Sequence, residues 1–121
     1  MNLQFSQLAI KKMKKESNRA KGNRLEKEFM RMMEVKGYFC ERAKYVKYQS
    51  NDLFGAFDLM GFNHIGGFFA QVKANQCRSE RTKLKEFRLK FPPNIEIILA
   101  VKYEDYGPKE WLGKWRIEEI T

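Results

Sequence analysis

One α/β domain is expected of this 121-residue chain, running helix, three strands, helix, strand, strand. A helical-period apolar stripe opens the ordered part, with Leu25, Phe29, Met32 and Met33 on one side. Short apolar runs separated by polar turns follow it. A second helical stripe is cut off by Pro92-Pro93 ahead of the run Ile95-Glu96-Ile97-Ile98-Leu99-Ala100-Val101. The length fits a single domain that can bury a core without disulfides. Ten Phe, five Tyr and two Trp exclude a disordered chain.

Residues 1–19 read as a basic arm or frayed helix, and residues 20–121 as the single domain. The first helix is expected from Ala20 to Lys36, with Gly37 as its stop. Phe39 to Tyr48 alternates weakly and reads as a strand, and Gln49 to Asp52 is a polar break. A second strand covers Gly55–Phe62, and Asn63-His64-Ile65-Gly66-Gly67 forms a turn. A third strand covers Gly67–Ala74. The second helix is expected from Arg78 to Lys90, with Leu84, Phe87 and Phe91 on its apolar stripe. Ile95–Val101 is the strand with the most buried character. Tyr103–Lys109 reads as a loop, and Trp111–Ile120 as a closing strand or hairpin. Both tryptophans are better read as core or sheet-closing residues than as base-stacking platforms.

The net charge of +9 and the pI near 9.6 point to a polyanionic partner. Nucleic acid is the first choice and a membrane surface the lesser one. Within residues 1–24, Lys11, Lys12, Lys14, Lys15, Arg19, Lys21 and Arg24 stand against the single acid Glu16. A second cluster comprises Arg78, Arg81, Lys83, Lys85, Arg88 and Lys90. These clusters are either phosphate contacts or simply solvated basic faces; their flanking of the polar residues below favours phosphate. Cys40 and Cys77 lack metal-ligand spacing and read as reduced thiols of an intracellular protein. No apolar run reaches transmembrane length, and the N-terminal apolar residues precede the lysines, the reverse of a secretory signal.

Polar residues inside apolar segments carry the chemical signal, because such placement is costly unless they hold something. On a wheel of about 100° per residue with Leu25 at zero, Glu26 falls within the arc of Phe29, Met33 and Met30. It is either an ion-pair partner, with Arg42 a candidate, or a metal or water ligand. Gln71 and Lys73 share a strand face with Phe69. The short turn makes an antiparallel hairpin, and registers opposing Asp58 to Gln71 or to Lys73 both put the three side chains on one face. Phosphodiester cleavage calls for a hard cation and a nearby ammonium, and Mg²⁺ needs only one or two carboxylates because it keeps several waters. Asp58 is the anchor, Gln71 offers an amide oxygen, Lys73 offsets developing charge and Glu26 holds a ligand water or second ion. The bland alternative is a simple Asp58–Lys73 pair. Asp52 is either a loop acid or an additional ligand, ranked behind Asp58. His64 reads as an exposed turn residue.

Taken together, Gly22 four residues before Glu26, Gly37 and Arg42, the Asp58-Leu59-Met60 run and Gln71-Val72-Lys73 resemble the PD-(D/E)XK nuclease superfamily. The pattern is most similar to small archaeal-type Holliday-junction resolvases and spans residues 20–103. Phe57 stands where the family has proline. Gln71 replaces the usual acid, a Gln-x-Lys variant tolerated in Mrr-like branches, and leaves one negative charge missing. The resemblance implies a restriction-endonuclease-like α/β core, a mixed sheet flanked by helices. It implies Mg²⁺ or Mn²⁺ as cofactor, with Glu26, Asp58 and Gln71 as the metal set and Lys73 assisting the chemical step. It implies DNA, including branched DNA, as substrate, and a homodimer as the assembly. Lys11, Lys12, Lys14, Lys15, Arg19, Arg24, Arg42, Arg78, Arg81 and Lys85 are the expected nucleic-acid contacts. An intracellular setting, cytoplasmic or nucleoid-associated, follows. The competing expectations are a non-catalytic nucleic-acid-binding module on the same fold, and a protein-interaction subunit whose basic arm docks an acidic partner.

Overall fold

The computed structural model describes residues 16–43, 45, 46, 49, 50, 52–75 and 80–121. The expected basic arm and Arg78 therefore lie outside the described residues, apart from Glu16 to Arg19. Helix α1 spans Asn18–Val35. It starts two residues earlier than periodicity suggests because Ser17 is its N-cap, taking the Ala20 amide at 3.0 Å. At the other end the Gly37 amide donates to the Glu34 carbonyl and the Tyr38 amide to that of Met33. This closing motif needs a left-handed residue, and Gly37 supplies it at φ +100°.

Five strands form one mixed sheet: β1 (Phe39–Arg42), β4 (Leu59–Phe62), β5 (Gly67–Ala74), β6 (Ile95–Lys102) and β7 (Trp115–Glu119), in that spatial order. Two further strands, β2 (Tyr45–Val46) and β3 (Gln49–Ser50), pair as a separate antiparallel hairpin. All neighbours in the main sheet are antiparallel except β5 and β6. A parallel pair requires a crossover, which helix α2 (Glu80–Arg88) provides. The Arg88 guanidinium fastens its end, donating to the carbonyls of Phe91, Pro92 and Ile95.

Two strands are shorter than expected. The first stops at Arg42 because its partner β4 offers only four residues, after which the Ala43 amide meets the carbonyl of Asp58. The second begins at Leu59 rather than Gly55. Leu53 and Phe57 exchange both backbone hydrogen bonds, at 2.8 and 2.9 Å, and close a tight loop between them. That loop holds Phe54 at φ +54° and Gly55 at φ +70°. A left-handed, non-glycine Phe54 is an uncommon conformation.

Alternation along the sheet divides the core between its faces. On one face Leu25, Phe29 and Met33 of α1 pack with Leu59, Phe68, Ala70, Val72, Ile98 and Ala100. On the other, Leu84 of α2 packs with Ala56, Phe57, Ile97, Leu99, Val101 and Ile120, beside the half-buried Phe69, Phe87 and Phe91. Trp115 closes the sheet against Phe29, with ring centroids 5.6 Å apart, and its indole donates to Glu28.

Asn75 ends β5 in the left-handed region, at φ +68°. Its Oδ1 accepts the amides of Glu104 and Asp105, both at 2.9 Å, and its Nδ2 donates to the Asp105 carboxylate. The exit of β5 is thereby clasped to the turn that follows β6.

Candidate active site

Glu26 is buried, with 4% exposure, on the α1 face that meets the sheet. Its Oε1 accepts from Arg42 Nη2 at 2.9 Å and Nε at 3.3 Å, and the same Nη2 donates to Asn23 Oδ1 at 3.0 Å. Of the two roles open to Glu26, the ion pair with Arg42 is present. Burial raises the Glu26 carboxyl above its ordinary range, Arg42 offsets part of that rise, and the Asp52 charge adds to it.

Asp58 sits at the bend just before β4. Its amide donates to the Ala70 carbonyl, and its Oδ2 accepts the Val72 amide at 2.7 Å. Both partners flank Gln71. The ladder between β4 and β5 ends at Leu59↔Ala70, and the Asp58 amide bonds Ala70 rather than Gln71, so Asp58 leaves the strand register at this point. Oδ1 of Asp58 receives no hydrogen bond among the described residues. Burial pushes the Asp58 carboxyl up to about 7; the charges of Glu26 and Asp52 add to the rise, and the Val72 amide and the Lys73 ammonium oppose it. Glu26, Asp52 and Lys73 thus all act electrostatically on Asp58.

Oε1 of Gln71 is buried and has no hydrogen-bond partner among the described residues. Such an orphan acceptor is costly, by roughly 1–3 kcal/mol. Lys73 does not form the bland pair with Asp58: its ammonium lies 3.7 Å from Oε1 of Glu80, at the start of α2. Glu80 gives no sequence cue for this role beyond its place at a helix N-terminus.

A cation fits these donors. A carboxylate oxygen with no hydrogen bond among the described residues, a carboxyl held near half-ionised chiefly by burial and further by neighbouring acids, and an orphan amide oxygen would each be relieved by a hard positive ion. Among the described residues no three His, Cys, Asp or Glu side chains converge as a ready-made cage. The donor set is therefore sparse and suits an ion that retains water.

Several expected phosphate contacts are already engaged. Arg24 is gripped by Glu16 and Glu104, which raise its affinity for its proton. Arg81 bonds Glu118, and Arg42 is held by Glu26 and Asn23. These three make internal ion pairs because acids on other segments reach them, which a linear charge count cannot reveal. Lys85 is exposed. Lys11, Lys12, Lys14, Lys15 and Arg78 lie outside the described residues. Arg19, Asn23, Lys27 and Arg42 line an open groove of about 570 Å³ along α1 and β1, with Cys40 and Glu41 opposite. Burial pushes the Cys40 thiol up to about 11, so it is protonated and unreactive at neutral pH. Lys27 and Asn23 belong to this groove but were not among the expected contacts; their i, i+4 spacing on α1 was the available signal.

The fold is similar to that of a Holliday-junction resolvase. The solved structure is Hjc from the archaeal hyperthermophile Archaeoglobus fulgidus, 19% identical, matched over 83% of this chain and 73% of that one with a TM-score of 0.54. The restriction-endonuclease-like α/β core is thus present, with its mixed sheet and two helices. No family model matches the sequence, and no curated protein matches it. Among the described residues no helix is long and apolar enough to cross a membrane.

Proposed function

We propose that this protein is a metal-dependent endonuclease that hydrolyses DNA phosphodiester bonds, with branched DNA as its substrate class. The observation that carries the reading is a pair of acceptors, Asp58 just before β4 and Gln71 on β5, linked by the neighbouring Val72 amide, which donates to Asp58 Oδ2. Among the described residues, Asp58 has a carboxylate oxygen with no hydrogen bond and Gln71 a buried amide oxygen with no donor. The likeness to Hjc, a Holliday junction resolvase, supports branched DNA.

In this reading Asp58 and Gln71 would hold Mg²⁺ or Mn²⁺, and Glu26 would orient a water beside them. When bound, the ion polarises the phosphoryl oxygen and acidifies a water. Lys73, half-exposed at 38%, can swing from Glu80 to the scissile phosphate and offset its developing negative charge. Glu80 keeps the ammonium near β5 until then. The Arg42 guanidinium holds Glu26 in place through a paired contact. Arg19 and Lys27 in the groove, Lys85 on α2 and the N-terminal lysines follow the DNA backbone. The proposal includes a homodimer in an intracellular setting; sedimentation equilibrium tests the stoichiometry.

Matched linear, flapped and four-way DNA incubated with Mg²⁺ or Mn²⁺ tests the activity. The wild type should cut, with preference for the four-way substrate. Asp58→Ala and Lys73→Ala should each lose on the order of a hundredfold or more in rate. Cleavage by Asp58→Ala at the wild-type rate refutes the assignment. One observation favours a non-catalytic DNA-binding module instead: among the described residues no three acidic or imidazole ligands converge. That reading requires salt-sensitive DNA binding with no Asp58-dependent Mn²⁺ binding in calorimetry.

A further inference from the structure

Gln71 leaves the proposed metal set one negative charge short, and a further acid, Asp52, stands at the neck of the 53–57 loop across from Asp58. Leu53 and Phe57 form a closed antiparallel pair through two backbone hydrogen bonds. The residues just outside that pair are Asp52 and Asp58, so two carboxylates flank the neck of one loop. Facing like charges across an antiparallel neck are destabilising when nothing sits between them. Among the described residues no protein group bonds the Asp52 side chain. Its main chain is held: the Gly55 amide donates to the Asp52 carbonyl at 3.0 Å. The loop reaches this shape with Phe54 and Gly55 both left-handed. On β5 the Oε1 of Gln71, a neutral acceptor, is buried and has no hydrogen-bond partner among the described residues, and the amide of the next residue, Val72, donates to Asp58.

We infer that Asp52 is a direct ligand of the divalent cation, supplying from the loop before β4 the negative charge that Gln71 does not supply from β5. This rests on the nuclease reading and extends it. Two carboxylates and one amide oxygen make a set that Mg²⁺ or Mn²⁺ completes with water.

Calorimetric titration of Mn²⁺ into the metal-free full-length chain, without DNA, tests the inference. The wild type should bind, and Asp52→Asn should weaken binding on the order of tenfold or more. Adding Gln71→Glu to Asp52→Asn should restore most of the affinity, because the charge returns on β5. Melting in chelator provides a second readout. Asp52→Asn removes like-charge repulsion, so its metal-free melting temperature should equal or exceed that of the wild type. Wild-type Mn²⁺ affinity in Asp52→Asn, with binding abolished in Asp58→Asn, overturns the role of Asp52 and leaves the nuclease reading intact. A metal-free Asp52→Asn that melts well below the wild type also overturns it, since the carboxylate would then be structural. Failure of the wild type to bind Mn²⁺ overturns both.

Discussion

At neutral pH the Asp58 carboxyl is close to half-ionised, because burial and two neighbouring acids hold it at about 7. The unfolded chain releases that proton nearer pH 4. A carboxyl whose folded value is raised adds stability below the unfolded value and loses it as pH climbs through the folded one. The metal-free wild type should therefore weaken between about pH 4 and pH 8. Asp58→Asn should remove that slope and be the more stable protein at pH 8, by up to roughly 4 kcal/mol, in urea melts across this range. Cation binding needs the ionised form, so Mn²⁺ affinity should rise from pH 6 to pH 8. Arg42 shows the opposite logic. Its removal leaves Glu26 buried without a countercharge, and Arg42→Ala should cost about 3–5 kcal/mol at pH 8. The cost should shrink in acid, where the raised Glu26 carboxyl takes up a proton. The wheel placed Glu26 on the apolar side and so announced a buried acid with a partner. It could not choose Arg42 over a metal, because that choice depends on where β1 lies beside α1.

At the scale of elements, the helix stop at Gly37 and the break at Pro92-Pro93 were legible, because each residue acts through its own backbone. The 53–57 loop was not. Phe57 and Ala56 look like strand residues, and both are buried, but they reach the core from a closed turn rather than an extended run. Periodicity reports burial and not the path of the chain. The early start of α1 rests on the Ser17 cap, and replacing Ser17 by alanine should cost about 1 kcal/mol in thermal melts. Leu84 is the sole buried residue of α2, so Leu84→Ala should lose about 2–5 kcal/mol and loosen the crossover. A loss below 1 kcal/mol would mean that α2 contributes little to the core.

For the whole molecule, the basic charge count overstates the surface open to a polyanion. Carboxylates from distant segments already engage Arg24, Arg81 and Lys21. Exposed pairs of this kind add little stability but do compete with phosphate. DNA affinity should fall linearly with salt on logarithmic axes. Lys85→Gln should reduce that slope by about one and Arg24→Gln by clearly less, measured by fluorescence anisotropy. The order of motifs along the chain foretold the sheet and its two covering helices, whereas the ion pairs depended on contacts between segments as far apart as Lys21 and Asp105. Asn75 joins such segments through main-chain atoms as well. Both parallel strands end at this one side chain, so neither can peel away without breaking its bonds to Glu104 and Asp105. Those two amides lie in a surface turn, yet their deuterium uptake should follow opening of the sheet itself. With Asn75→Ala the same two sites should label as fast as an untethered loop.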